Sequence, residues 1–256
     1  MSVERNYVIA AADRALMVLE VLANERELGV TEVAARMEIT KSLAFRLLHT
    51  LEARGYVSRD PQRRTYSLGY RVFYLGAALG HQDSLVQATE KLMDELAALS
   101  HENVNLVVRE GTHSVVVATR ESRHQVRLFA EPGRRGPLHA GGASTVLLAF
   151  APTEIQDEVL ASPLETYSPS TVTDPSRLRE ILRAVRESGI HIVTSDLDDG
   201  AFSVAAPIRD RAGRVIAAVS VAGPVSRLDD VTAARLRELV PAFAGRMSQA
   251  LGLAAE

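Results

Sequence analysis

The chain of 256 residues contains no cysteine. That absence excludes disulfide bonds, metal sites built on thiolates and thiol nucleophiles, and it is compatible with a reducing compartment. No apolar run reaches the ~18 residues that a membrane-spanning helix needs, and acidic side chains interrupt the N-terminal segment in a way that a signal peptide does not show. The sequence therefore predicts a cytoplasmic protein that has no membrane partner.

The sequence also lacks the usual signatures of enzymes. Its seven histidines are scattered, without the grouping of a zinc protease helix. It has no G-x-S-x-G nucleophile elbow and no P-loop ending in Gly-Lys-Ser/Thr. No nucleophile, base and orienting residue are grouped together. We therefore expect no enzymatic activity, no cofactor and no metal site.

The chain is slightly acidic overall, but its positive charge is unevenly distributed. The net charge is -3, yet residues 33–71 hold eight Lys or Arg and only three Asp or Glu, so this stretch carries +5 and the remainder -8. Such a division predicts a polyanionic partner for one part of the chain. With 46% apolar residues, the chain is long enough for two domains that each bury a core.

The basic stretch has the pattern of a winged helix-turn-helix over residues 1–69. Apolar residues at helical spacing predict a first helix over 11–23, and Thr31 is a candidate cap for a short second helix. Thr40 can cap a third helix that Gly55 ends. Strand-prone residues on both sides of an Asp-Pro turn then predict a two-stranded hairpin.

The third helix has two distinct faces. Leu43, Leu47 and Leu51 point towards a small core, and the opposite face is polar and basic, as a recognition helix requires. Arg46 suits a bidentate contact with guanine or a phosphate. Phe45 either touches a thymine methyl group, wedges against a sugar or packs against the first helix. The candidate DNA contacts are Thr40, Lys41, Ser42, Phe45, Arg46 and His49 on the helix, and Arg59, Arg63 and Arg64 in the hairpin.

The remaining chain alternates between helix and strand. Residues 70–90 predict a linker helix region with interruptions near Gly76 to Asp83, and residues 91–256 predict an α+β domain with a largely antiparallel sheet. A strand over 125–130 is expected to lead into a glycine-rich loop and an apolar helix. A hairpin over 203–224 and a final helix ending near Leu251 complete the pattern.

The chain resembles the IclR family of bacterial transcriptional regulators over nearly its whole length. The N-terminal resemblance is carried by LGVTEVAARMEITKSLAFRLLHTLEARGYVSRDPQRRTYSLGYRVFYLG, and the C-terminal one by PLHAGGASTVLLAF, SVAAPIRDRAGRVIAAVSVAGP and RLDDV. One departure is Glu38, where the family often has glycine, and a positive φ there would strain the backbone. The resemblance implies a repressor that binds double-stranded operator DNA as a homodimer or tetramer under the control of a small-molecule effector.

The resemblance further implies a second domain similar to GAF and PAS sensors, whose ligand lies between the sheet and the glycine loop. Members that bind small carboxylates have two serines in the sheet and an acidic side chain near position 193. This chain has Ala222 and Val193 there, which implies a larger or more apolar effector such as an aromatic acid. The implied effector contacts are His139, Gly142, Ala143, Val193, Ser203, Ser220 and Ala222.

Several alternatives stay open on the residues alone. The glycine loop over 141–144 suits either a ligand at a helix N-terminus or close packing of a helix on a sheet. The acidic segment 195–200 is either a solvated turn or a loop that closes the pocket, and the arginines at 134 and 135 either attract an anion or form a surface turn. At the level of function, the alternatives are an enzyme with a GAF-like domain and an N-terminal protein-interaction module, or a DNA-binding domain fused to an oligomerisation module.

Overall fold

The structure is a computed structural model that describes residues 7–25, 27–82, 84–128 and 130–253, without the side chains of residues 77, 79–82 and 253. The chain forms two compact units, of which the first ends at Gln82 and the second follows it. The finer partition at residues 69 and 90 stays a prediction. The α+β class with an N-terminal helix-turn-helix is confirmed.

The described residues of the first unit form four α-helices and a small three-stranded antiparallel sheet of order β1-β3-β2. Sequence reasoning anticipated the β2–β3 hairpin but not β1, whose two residues are too few to show a periodicity. The elements are α1 (Ala10–Asn24), β1 (Leu28–Gly29), α2 (Val30–Arg36), α3 (Lys41–Ala53), β2 (Val57–Asp60), β3 (Thr65–Leu68) and α4 (Tyr70–Gln82).

The ends of α2 and α3 are fixed by local hydrogen bonds. The Thr40 hydroxyl accepts the Leu43 N–H at 3.3 Å, which confirms the predicted cap of α3. The prediction that Thr31 caps α2 is wrong, because α2 begins at Val30 with Gly29 as its cap, and the Gly29 N–H donates to the Glu32 carboxylate at 2.7 Å. Glu38 adopts φ 52° in the turn between the helices, so this non-glycine residue holds the left-handed conformation that disfavours it.

One face of α3 is anchored in the core of the first unit. Leu47, Leu48 and Leu51 are buried together with Val18 of α1 and Val33 of α2. Ala44, which sequence reasoning did not assign to this face, is also fully buried. Burial of this row fixes which side of α3 remains exposed.

Helix α4 differs from the predicted linker. It continues through Gly76 to Gln82, so the expected interruption near Gly76 is wrong, while Asp83 lies outside the described residues. Glycine within a helix costs roughly 0.5–1 kcal/mol relative to alanine but does not by itself end the helix. Helix α5 (Ser84–Ser100) then opens the second unit.

The second unit is built on a six-stranded antiparallel sheet of order β6-β5-β4-β9-β8-β7. The predicted hairpin over 203–224 and the closing helix are confirmed. Its further elements are β4 (Asn103–Glu110), β5 (His113–Arg120), β6 (Arg135–Pro137), α6 (Gly142–Ala149), α7 (Thr153–Ala161), α8 (Pro175–Ser188), β7 (His191–Thr194), β8 (Ala201–Arg209), β9 (Val215–Pro224) and α9 (Asp230–Leu253).

The strand predicted over 125–130 does not form in the described part of that segment, and Phe129 lies outside it. The carbonyl of Leu128 accepts from the Asn103 amide nitrogen at 2.7 Å, and the carbonyl of Val126 accepts from the Arg227 guanidinium at 3.1 Å. Because side chains satisfy these carbonyls, the segment needs no neighbouring strand. The short β6 pairs with β5 instead.

Alternating residues of the sheet face two different cores. Leu106, Val204 and Val219 belong to the core that includes residues of α5 and α9. Val107 and Ala205 belong to the core that includes residues of α6 and α8. Towards one end of the second face the inward side chains become small or polar, and a cavity replaces the packing there.

Candidate functional site

The exposed face of α3 holds the predicted DNA contacts. Lys41, Ser42, Phe45, Arg46 and His49 are all exposed, while the opposite side of the helix is buried. The first-turn amides of an α-helix have no partner within the helix, so they can donate to a phosphate. The face therefore combines two long cations, a hydroxyl and an aromatic pair on a rigid element.

Phe45 does not pack into the core of the first unit. Its side chain is 48% exposed, and its ring lies nearly parallel to that of His49, with an interplanar angle of 4° and centroids 6.0 Å apart. Phe45 is not part of the core cluster that contains residues of α1.

The β2–β3 hairpin carries three exposed arginines whose side chains have different contacts. Arg59 lies over the ring of Tyr66 at 5.8 Å, and Arg64 is exposed at φ 56°. Arg63 forms an ion pair with Glu27 at 2.6 Å, a partner that sequence reasoning did not anticipate. All three stay exposed, so an exposed ion pair of this kind costs little to exchange for a phosphate contact.

Asp60 holds the turn in shape. Its carboxylate accepts the backbone N–H groups of Gln62 at 2.8 Å and Arg63 at 3.0 Å. These two hydrogen bonds lower the pKa of Asp60 below its ordinary value, so the carboxylate stays ionised and the turn stays preorganised. The basic turn is thus fixed by an acidic residue at its base.

The second unit contains a cavity of about 110 Å³ between the sheet, the start of α6 and the segment 195–200. Its walls include five of the seven residues that the resemblance assigned to the effector: Gly142, Ala143, Ser203, Ser220 and Ala222. Asp196 and Asp198 also line it, as do Arg134 and Arg135. The structure thus brings the acidic segment and both arginines to the same cavity.

Hydrogen-bonding groups on the cavity floor lack protein partners. Within the described ranges, the hydroxyls of Ser203 and Ser220 form no hydrogen bond, and neither is sealed from the surrounding space. Asn105, opposite Ser220 in the β4–β9 register, accepts from the Thr119 hydroxyl at 3.1 Å and leaves its amide nitrogen available. Buried polar groups are normally satisfied, so these groups are suited to a ligand or to water.

Gly142 lets α6 approach the sheet closely. A Cβ at this position would lie 2.9 Å from the Cβ of Ser203 and would collide with its hydroxyl. Gly141, with φ 91°, turns the chain into α6 in a conformation that favours glycine. Close packing therefore explains Gly142 in full, and the same close approach brings the start of α6 to the cavity wall.

Asp196 closes one side of the cavity. Its carboxylate accepts the Gly141 N–H at 2.7 Å. Burial raises the pKa of Asp196 above its ordinary value, and the hydrogen bonds from Gly141 and Leu197 oppose that shift. Asp198 forms an ion pair with Arg134 at 3.3 Å, so the acidic segment links the glycine loop to the arginine turn.

His139 and Val193 do not line the cavity. The Nε2 atom of His139 lies 2.9 Å from the carbonyl of Glu165, and its ring centroid lies 5.8 Å from that of Tyr167. This arrangement favours the structural role over a ligand contact. Val193, on β7, pairs with Ser203 of β8; it is half-buried and does not line the cavity.

Sequence reasoning missed part of the cavity wall. Asn105, Ser114 and Ser144 line it, and the Ser144 hydroxyl donates to that of Ser114 at 2.9 Å. Asparagine at an inward position between the apolar residues of VNLVV was a signal for Asn105. Ser114 gave no such signal, because its place depends on the pairing register of β5.

The described part of the chain has neither a metal-binding cluster nor a membrane-spanning helix. There, no three His, Asp or Glu side chains are grouped closely enough to hold a metal ion. No helix in the same ranges combines the length and apolar character that a membrane crossing requires.

Comparisons with known proteins match both units. The family model described as IclR helix-turn-helix domain covers residues 11–61, and that described as Bacterial transcriptional regulator IclR C-terminal covers residues 77–249. The HTH-type transcriptional repressor AllR of Escherichia coli K12 is 33% identical over 247 residues, which are 96% of this chain and 91% of AllR.

Two crystal structures show the same fold. An IclR transcriptional regulator from Alicyclobacillus acidocaldarius superposes with a TM-score of 0.86 at 26% identity, over 96% of this chain and 100% of that one. An IclR homolog from Microbacterium hydrocarbonoxydans, complexed with 4-hydroxybenzoate, gives a TM-score of 0.80 at 26% identity, over 94% of this chain and 98% of that one. The chain therefore belongs to the IclR family of bacterial transcriptional regulators, which are not enzymes, and combines a DNA-binding helix-turn-helix domain with an effector-binding C-terminal domain.

Proposed function

We propose that this protein is a repressor that binds a near-palindromic operator through α3 and the basic turn over 61–64. An effector that fills the C-terminal cavity lowers or raises its affinity for that operator. The exposed basic face of α3 carries this proposal, because its opposite side is locked into the core. Arg46 is suited to a guanine edge, and Lys41 and Arg64 to phosphates. The name of the relative AllR supports repression.

The first unit also supports assembly as a homodimer. Large apolar side chains stay exposed on α1 and α4: Leu16 is 61% exposed, Phe73 76% and Tyr70 93%. Exposed apolar groups of this size mark contacts with another chain. A second copy covering them would place two α3 helices in successive major grooves, as operator symmetry requires. Pairing of dimers into a tetramer is part of the same proposal.

The effector is, on this proposal, an aromatic or otherwise relatively apolar acid. Ser203, Ser220 and Asn105 offer hydrogen-bond donors on the floor, while Val107 and Ala222 beside them are apolar. A mostly apolar wall with a few placed polar groups is typical of small-molecule sites. The relative crystallised with 4-hydroxybenzoate supports this class.

The charges at the cavity mouth fit the same class. Arg134 is paired with Asp198 at 3.3 Å, and Arg135 is paired with Glu110 at 3.0 Å. The two arginines are therefore partly neutralised, and Asp196 adds a carboxylate to the wall. A very small and highly charged acid would find little net positive charge here, whereas a larger acid gains from the apolar surface.

Calorimetry and operator binding test the effector proposal together. 4-Hydroxybenzoate should bind to the purified protein and change its affinity for operator DNA. The Ser220→Leu variant should abolish both effects, because the leucine side chain fills the cavity. Its operator affinity without ligand should be unchanged, because position 220 lies in the second unit and α3 in the first. By linkage the change in operator affinity must equal the change that DNA causes in effector affinity.

Three outcomes would contradict the proposal in different ways. Tight binding of a two- or three-carbon oxo-acid with none of the aromatic acid would overturn the effector class. The absence of any ligand-induced shift in melting temperature across a metabolite panel would favour a pure oligomerisation module. Ligand turnover during the titration would favour the alternative of an enzyme with a GAF-like domain.

A further inference from the structure

An aromatic pair on the exposed face of α3 is left unexplained by the folding of the first unit. Phe45 keeps 48% of its surface exposed, and its ring stacks on that of His49. Phenylalanine favours helix formation less than the charged residues that usually occupy such positions. Helix propensity therefore does not account for Phe45, and about half of its surface is left uncovered by the first unit.

The surroundings of the pair are complementary to DNA. Lys41, Ser42 and Arg46 lie exposed on the same side of the helix. The surface is therefore an apolar spot within a basic face, which a purely apolar protein partner would not match. A duplex offers phosphates to the cations and, in the major groove, base edges to the centre of the helix.

We propose that Phe45 and His49 together read the 5-methyl group of a thymine next to the base that Arg46 contacts. This inference rests on the proposed DNA-binding function of α3. Among the base-edge groups of the major groove, the thymine methyl is the apolar one, and the others are hydrogen-bond donors or acceptors. An aromatic pair that enters the groove therefore has the thymine methyl as its complementary partner, and Arg46 has guanine beside it.

The stacked geometry explains why the pair can discriminate. The two rings are almost parallel, with an interplanar angle of 4° and centroids 6.0 Å apart. Rings that are already stacked in the unbound protein lose little conformational freedom on binding. Burial of one methyl group corresponds to ~0.8 kcal/mol, or about a fourfold change in affinity for each half-site.

The test uses deoxyuridine, which lacks only the 5-methyl group of thymine. Duplexes are first selected from a random pool with the full-length protein at low ionic strength, and each thymine of the selected site is then replaced singly by deoxyuridine. We expect one position in each half-site to lose about fourfold in affinity, and both together about 16-fold. The Phe45→Ala variant should bind the thymine and deoxyuridine duplexes equally well.

A matched control separates methyl readout from general weakening. Lys41→Ala should weaken binding to both duplexes by the same factor and so preserve the thymine preference, because phosphate contacts carry no base information. Duplexes that tolerate deoxyuridine at every position, or a Phe45→Ala variant that keeps the preference, would overturn the inference while leaving DNA binding intact. Failure to select any duplex would overturn the proposed function as well.

Discussion

Replacing Gly142 by alanine tests the close approach that builds the cavity wall. The new Cβ would lie 2.9 Å from the Cβ of Ser203 and 3.4 Å from that of Ala205, so α6 or β8 must move. Overpacking of this kind costs ~1–3 kcal/mol, and the lower entropy of alanine in the unfolded chain offsets up to ~1 kcal/mol of that. We expect a net loss of ~1–2 kcal/mol, which lowers the melting temperature by about 2–8 °C for a unit of this size.

Gly245→Ala is the matched control for that experiment. Gly245 lies within α9, is exposed, and has no other atom within 4 Å of an added Cβ, so alanine there should stabilise the helix by ~0.5–1 kcal/mol. The two variants are thus expected to shift the midpoint of urea unfolding in opposite directions. Ser203→Gly in the Gly142→Ala background should show a favourable coupling in a double-mutant cycle. A rise in stability for Gly142→Ala, equal to that for Gly245→Ala, would refute the close approach.

The remaining predictions concern base readout and a half-buried histidine. Arg46→Ala should weaken operator binding by ~1–3 kcal/mol in an anisotropy titration if Arg46 reads a base, and unchanged affinity would show that the recognition face is misassigned. Burial lowers the pKa of His191 from 6.5 to about 4. The neutral imidazole is therefore tolerated in full above pH 6.5, and the free energy of unfolding falls by up to ~3 kcal/mol as the pH drops towards 4. His191→Leu should flatten this decline in urea unfolding, and an unaltered pH profile would contradict the assignment.

The helix-turn-helix could be predicted from the sequence because its signals are local. Thr40 caps α3 and Gly55 ends it, and the spacing of the leucines selects the buried face. Two errors arose where the decisive partners are distant in the sequence. The carbonyl of Val126 is satisfied by Arg227, 101 residues away, and the two-residue β1 exists only because β3 pairs with it.

The residues of the cavity were harder to predict from the sequence. Gly142, Ser203 and Ser220 were assigned by resemblance, since nothing in their local pattern separates a ligand contact from close packing. Ser114 reaches the cavity only because β5 pairs with β4 past a register shift between Leu106 and Val107, which no periodicity predicts. The contact of the His139 ring with the backbone carbonyl of Glu165, 26 residues away, also had no signal in the sequence.

The salt dependence of DNA binding tests the central claim most directly. With about four to eight phosphates contacted, the logarithm of the association constant should fall linearly with the logarithm of salt concentration, with a slope of about -4 to -7. The measurement is an anisotropy titration of full-length protein against duplexes from the region around its own gene. A slope in this range, reduced by about one in Lys41→Ala, is the predicted result. No binding at low ionic strength, or a slope near zero, would contradict a DNA-binding role for the basic face of α3.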